Sequence, residues 1–353
     1  MWQIVGQTRV VDLLQRSLEK DSLAHAYLFA GSPNVGKMTL AINLAQALNC
    51  PETERPCGEC ASCQKIASAN HADVQIVGLT RNENSSETRL RTEISIDQIR
   101  QLQHFASLPP FEGKYKVFII EGAEFLSTEA ANCLLKTLEE PADKVVFILL
   151  TTNEKLLPAT VISRCQRLEL TPLTAAEMEN ALTTRWSIEP QKASLLARLS
   201  RGCLGWALSA VSDESRLVQR KEKIEKLLEI ISADYEGRFT CAAQLAAQFT
   251  QSREAVQEVL DLWINWWRDL LLVKIGCSDV ITNIDYLATL TEVAECYRLN
   301  QIKAFIDSIR AAEEQLGQNA NPRLALEVLM LDMPGKGKRG GGELAARVMV
   351  KND

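Results

Sequence analysis

The sequence predicts an α/β domain on a parallel sheet, followed by a small helical domain and a larger all-α domain. Three observations carry this. Strands of the buried type alternate with helices over about the first 170 residues. One of those strands runs into a glycine-bounded turn, Gly31 to Gly36, that opens a helix. After Pro172 the strand pattern stops and helical periodicity continues to residue 332. The expected divisions are 1–171, 172–212 and 213–332, with a basic, Gly-rich tail at 333–353 read as disordered.

The elements follow in order. Residues 1–23 read as a helix, because Val10, Leu13, Leu14 and Leu18 recur at three- and four-residue spacings. Residues 27–30 form a short buried strand, and residues 38–49 a helix with Leu40, Leu44, Ala47 and Leu48 inward. A cysteine cluster separates it from a strand at 73–77, and the polar run 80–93 reads as a mobile loop. Ser95 starts a helix through a capping box with Gln98 and stops before Pro109-Pro110. Residues 116–121, Lys-Val-Phe-Ile-Ile-Glu, are continuous enough to lie buried on both faces of a parallel sheet. A helix at 127–140 is closed by Pro141, and strands at 145–151 and 167–170 complete the sheet. Two or three short helices fill 174–211, with a turn at Gly202 and Gly205. In the last helical region Trp263, Trp266 and Trp267 share one face with Leu260, Ile264 and Leu270, which reads as core or subunit interface.

Composition is that of an ordinary globular chain. The 353 residues are 46% apolar, and 39 basic against 45 acidic side chains leave a net charge of −6. The pI of about 5.4 gives no global footprint for nucleic acid, so such contact has to come from a local patch or from an assembly. No apolar segment resembles a signal peptide, and the run 145–150 is far too short to span a bilayer, so a cytoplasmic location is expected.

Three constellations carry chemistry. Gly31-x4-Gly36-Lys37 is the frame of a phosphate-cradling loop, in which glycines let backbone N–H groups converge on phosphate oxygens and Lys37 reaches the β- and γ-phosphates. The next position normally offers a hydroxyl to Mg²⁺ and here holds Met38, a poor ligand for a hard cation, before Thr39. The companion strand should end in Asp-Glu and instead ends Glu121-Gly122, which keeps a carboxylate for the metal but no catalytic base. Glu124, three residues on, is expected to point elsewhere. ATP with Mg²⁺ is therefore a possible ligand and hydrolysis is not expected. The second constellation, Cys50, Cys57, Cys60 and Cys63, offers four soft thiolates in a short loop and suits a structural, tetrahedral Zn²⁺. An iron–sulfur run wants its fourth Cys downstream and followed by Pro, which is absent here. His71 reads as a capping or surface histidine. Third, Ser163-Arg164-Cys165 follows the strand 145–151, whose end bears Thr151, Thr152 and Asn153. Arg164 reads either as a surface ion-pair partner or as a residue offered to a neighbour's γ-phosphate.

Taken together the chain resembles the clamp-loader branch of the AAA+ family over roughly residues 1–332. The carrying residues are Ile4-Val5-Gly6-Gln7, His25-Ala26-Tyr27-Leu28-Phe29 with the phosphate loop, and the four cysteines. Leu134-Leu135-Lys136-Thr137-Leu138-Glu139-Glu140-Pro141, Ser163-Arg164-Cys165 and Asn321-Pro322-Arg323-Leu324-Ala325-Leu326-Glu327 complete the set. The resemblance implies an AAA+ nucleotide-binding domain, a helical lid and a helical collar that joins subunits into a ring. It implies gamma/tau and delta subunits as partners in a hetero-pentamer. Through that assembly it also implies contact with a sliding clamp and primed DNA during replication, as an accessory part of a DNA polymerase holoenzyme. It makes Arg164 an arginine finger acting in trans and puts Thr152 at the sensor position. The two departures at Met38 and Gly122 point to a subunit that does not hydrolyse ATP. The alternatives are a gamma/tau-type ATPase subunit and a stand-alone AAA+ remodelling ATPase. A zinc-dependent DNA-binding module fits poorly with the acidic pI and the lack of a basic helix beside the cysteines.

Overall fold

A computed structural model describes residues 2–79, 93–213, 215–318 and 320–335. The loop expected over 80–93 and the basic tail lie, but for residues 93 and 333–335, outside the described residues. The chain divides into two compact units, one formed by residues up to Ser187 with Gly202–Trp206, the other by Ile188–Arg201 with residues from Ala207 onward. The stretch 172–212 is thus shared between them.

In the first unit a helix α1 (Thr8–Glu19) precedes strand β1 (Ala26–Ala30), helix α2 (Lys37–Asn49) and a short helix α3 (Ala61–Ala67). Strand β2 (Val74–Val77), helix α4 (Ile96–Ala106), strand β3 (Lys116–Glu121) and helix α5 (Thr128–Glu139) follow. Strand β4 (Val145–Thr151), the single turn α6 (Ala159–Ile162), strand β5 (Gln166–Glu169) and helix α7 (Ala175–Trp186) complete it. The strands form one sheet in the order β2-β3-β4-β1-β5, and every pairing is parallel.

Alternation along each central strand builds the two faces. Tyr27 and Phe29, Val117 and Ile119, and Val146, Ile148 and Leu150 pack with Val10 and Leu14 of α1 and Leu40 and Leu44 of α2. Leu28, Phe118 and Ile120, and Val145, Phe147 and Leu149 pack with Ile99 and Leu102 of α4 and with Leu134 and Leu138 of α5. Helices therefore cover both faces, and this is why the strands read as unbroken apolar runs. The edge strands β2 and β5 carry polar and half-exposed residues.

Two expectations change here. Residues 2–7 are not helical: Gly6 and Gln7 both take positive φ, 67° and 57°. Before them, Trp2 and Ile4 are buried. The Gln3 N–H donates to Asn43 Oδ1 on α2 at 2.8 Å. The seven-residue helix α3, which periodicity did not reveal, starts within the cysteine cluster, with Cys60 as its N-cap.

The second unit is helical throughout its described residues. Helices α8 (Pro190–Leu199), α9 (Leu204–Ser212, whose first turn counts with the first unit), α10 (Ser215–Ser232) and α11 (Tyr235–Gln251) lead to the long α12 (Arg253–Lys274). Helices α13 (Leu287–Glu295), α14 (Leu299–Gly317) and α15 (Pro322–Asp332) close it. The tryptophans of α12 are core: Trp263, Trp266 and Trp267 are at most 2% exposed. Trp267 meets Phe305 of α14 edge-on at 4.8 Å and Tyr297 at 5.2 Å. Asp269 lies buried on the same helix because the N–H groups of Thr282 and Asn283 and the Asn283 amide all donate to its Oδ2.

Candidate phosphate loop and metal centre

Parallel strands end together at one edge of a sheet, and loops leaving that edge converge. Ala30 of β1 pairs with Thr151 of β4, and Glu121 of β3 with Leu150, so three strand ends lie side by side. The turn after β1 is the candidate phosphate loop. A Cβ at Gly31 would sit 2.6 Å from the Leu170 carbonyl, so only glycine fits. Gly36, at φ 107°, turns the chain into α2. The first N–H groups of that helix have no partner within it, as at any helix start, and are available to an anion there. Lys37 Nζ donates to the Gly31 and Ser32 carbonyls at 2.6 and 2.8 Å. Burial lowers its pKa, opposed by the charges of Glu124, Cys203 and Glu121 in that order. The loop tip is also held: Gly205 N–H donates to the Asn34 carbonyl at 3.0 Å, and a Cβ at 205 would crowd that oxygen.

These groups fit the phosphates of a nucleotide, but the positions for its metal fit less well. Met38 turns into the apolar layer under the sheet, and Thr39 is exposed one step around the helix. Glu121 stands exposed at the end of β3, and Gly122 takes a left-handed conformation with φ 69°. One expectation is overturned here. Glu124 does not point away: a short 3₁₀ turn, Ala123–Phe125, brings it back over the strand end. Its Oε1 accepts from the Thr152 N–H at 2.9 Å and also from the Thr152 hydroxyl. Glu124 is thus the carboxylate of this site that sequence reasoning missed. The available signal was Gly122 itself, a glycine at a strand end that lets the chain reverse.

Arg164 lies elsewhere. Its Nη1 donates to the Thr160 carbonyl at 2.9 Å and its Nη2 to Glu139 at the C-terminal end of α5. The side chain remains 34% exposed. None of these partners belongs to the loop.

The four cysteines do come together. The Sγ atoms of Cys50, Cys57, Cys60 and Cys63 all lie within 4.8 Å of one another. Cys50–Cys60 and Cys57–Cys63 are each 4.0 Å apart. A tetrahedral Zn–S length of about 2.3 Å requires S–S edges of about 3.8 Å, so the cluster fits one such ion. The N–H of Cys60, followed by that of Glu59, lowers the Cys57 thiol to about 6. Burial pushes the Cys63 thiol up to about 12. A supporting layer surrounds the cluster: Gln46 of α2 donates to the Cys63 carbonyl at 2.9 Å. His71 is buried rather than a surface group; its Nδ1 caps the Asp73 N–H and its Nε2 meets Ser62 Oγ at 3.2 Å.

The family model described as DNA polymerase III, delta subunit matches residues 6–174, and its C-terminal counterpart matches residues 215–334. DNA polymerase III subunit delta' of Bacillus subtilis is 31% identical, with 92% of this chain and 95% of that protein covered. Subunit tau of the same organism is 28% identical over 93% of this chain but only 60% of its own length. Subunit tau/gamma of Haemophilus influenzae is 31% identical over 93% of this chain and 48% of its own length. A crystal structure of a gamma subunit-related protein from Thermotoga maritima aligns over 92% of this chain and 98% of that one, at 19% identity and a TM-score of 0.44.

Proposed function

Because the chain belongs to the clamp-loader subunit family of DNA polymerase III, we propose that it serves as a delta'-type subunit: a largely non-hydrolysing stator that offers Arg164 to a neighbouring ATPase. The observation that carries this reading is the pairing of an intact phosphate loop with the losses at Met38 and Gly122. The loop has its glycines and Lys37, while the helix position for a metal ligand faces the core and the catalytic-base position has no side chain.

In this reading 1–171 is the AAA+ domain, 172–212 a lid and 213–332 the collar that joins the ring. The partners are gamma/tau and delta subunits, and through them the sliding clamp and primed DNA, in the cytoplasm. Cys50, Cys57, Cys60 and Cys63 hold a structural zinc. Gly31, Gly36, Lys37, Thr39 and Glu121 surround any retained nucleotide, and Thr152 occupies the sensor position. Arg164 exchanges Glu139 for the γ-phosphate of the neighbouring subunit's ATP.

The test is ATP turnover in a loader reconstituted with gamma/tau and delta. Arg164→Ala is expected to lower turnover by at least the share of the one site that Arg164 serves, since a trans-acting arginine is worth roughly 10³ to 10⁵ in rate at that site, while gel filtration shows assembly unchanged. Unchanged turnover returns Arg164 to a surface ion pair. A gamma/tau-type ATPase is the second reading, favoured by the retained Lys37 and the similarity to tau.

A further inference from the structure

We propose that Glu124 is a resident stand-in for the terminal phosphate of a nucleotide: its carboxylate saturates Thr152 at the strand ends beside the loop, so the site takes a nucleoside diphosphate in preference to a triphosphate. The inference rests on the reading of Gly31–Lys37 as a nucleotide loop and adds which nucleotide it holds.

Thr152 has two protons to donate, on its backbone nitrogen and on its hydroxyl. Both go to Glu124 Oε1. A hydroxyl carries one hydrogen, so none remains for a phosphate oxygen. The contact is fixed by the sheet: β3 and β4 are adjacent and in register, Glu121 opposite Leu150, and the turn at Gly122 brings residue 124 back toward the end of β4. Glu124 is also the strongest of the charges acting on Lys37, ahead of Cys203 and Glu121. Its second oxygen, Oε2, is buried and has no hydrogen-bond partner. A carboxylate oxygen that is buried and accepts no hydrogen bond is an unfavourable neighbour for further negative charge.

The two nucleotides meet this arrangement differently. A diphosphate can take the loop N–H groups and Lys37 and leave the Glu124–Thr152 contact intact. A triphosphate brings a third anionic group to the strand ends, where it must displace Glu124 from Thr152 or lie beside it. The role usually given to a bound γ-phosphate at the sensor is filled by the chain's own side chain.

Equilibrium titration of the full-length, zinc-replete chain with ADP and with ATP, without magnesium, tests this. The native chain is expected to bind ADP at least about tenfold more tightly, a free-energy gap of about 1.4 kcal/mol. Glu124→Gln keeps the shape and removes the charge, and should tighten ATP about tenfold with little change for ADP. Glu124→Asp keeps the charge and should keep the preference for ADP. A merely structural role for Glu124 would weaken both nucleotides together and lower the melting temperature without moving their ratio. An ADP to ATP ratio equal in native and Gln chains overturns the proposal. So does a Gln chain that binds neither nucleotide, and that result leaves the assembly test of Arg164 untouched.

Discussion

Asp73 is 2% exposed, and its carboxylate still takes three hydrogen bonds from consecutive backbone N–H groups. Phe111 and Gly113 donate at 2.7 Å and Glu112 at 2.8 Å, so one side chain at the start of β2 fixes the loop that leads into β3. Burial alone would raise its pKa, but the N–H groups of Phe111, Gly113 and Glu112, helped by His71, hold it below the usual carboxylate value. Asp73→Asn should therefore cost about 3 kcal/mol at neutral pH, since bonds to a charged acceptor are each worth about 1.5–3. The pH dependence has a definite sign. A depressed pKa gives stability that is complete above the unfolded value of about 3.9 and is lost as pH falls through the folded value. Urea denaturation should show the gap between native and variant chains full at pH 7 and closing below about pH 4; a gap that widens in acid would contradict this account. Phe111 is 86% exposed on this same anchored loop, so its position owes nothing to its own ring.

At the scale of elements, α2 joins the two chemical features of the first unit. Gly36 precedes it and Cys50 follows it, and Leu40 through Asn49 are buried with the single exception of the half-buried Ile42. Its polar residues face inward to specific partners: Asn43 to Gln3, Gln46 to the Cys63 carbonyl and Asn49 Oδ1 to the Tyr115 N–H at 2.9 Å. Metal analysis of the native chain should find about one zinc per chain. Cys60→Ser should lose it and open residues 50–67 to rapid hydrogen exchange, since a structural zinc contributes on the order of 10 kcal/mol of folding energy; an iron signal would reverse the assignment. How far these elements could be read in advance follows from their surroundings. β3 and β4 were legible to the residue because both faces are buried, and 117–120 and 145–150 are then apolar without interruption. The cysteines were legible because their spacing alone brings four sulfurs together. α3 was not, since a helix of seven residues that itself contains Cys63 is too short to show a period. The N-terminal segment misled because Trp2 and Ile4 are apolar for a non-helical path over α2, whereas the spacing of Val10 and Leu14 belongs to a helix that starts only after Gln7. Glu124 was misread for a different reason: its partner Thr152 is 28 residues away and becomes a neighbour only through strand pairing.

At the scale of the whole molecule, two units have separate cores, one layered about a sheet and one gathered around the tryptophans of α12. The first unit holds the loop and the cysteine cluster, so the proposed stator role assigns the second to assembly. The isolated chain is then expected to show no DNA-stimulated ATP turnover above background in a phosphate-release assay. A robust rate that Lys37→Ala abolishes would instead favour the gamma/tau-type reading. The backbone at Gly122 bears on how such a chain can change over generations. A single codon can put a hydroxyl at position 38, where the first turn of α2 offers the side chain only partial cover. Position 122 is different, because its φ of 69° is a conformation that L-residues adopt at a cost of roughly 1–2 kcal/mol. A Cβ there would also lie 2.8 Å from the Phe125 ring. A glutamate at 122 needs a different course for the turn, and the turn is what carries Glu124 to Thr152. The two departures are therefore unequal in evolutionary terms: one is open to reversion, and the other works as a ratchet.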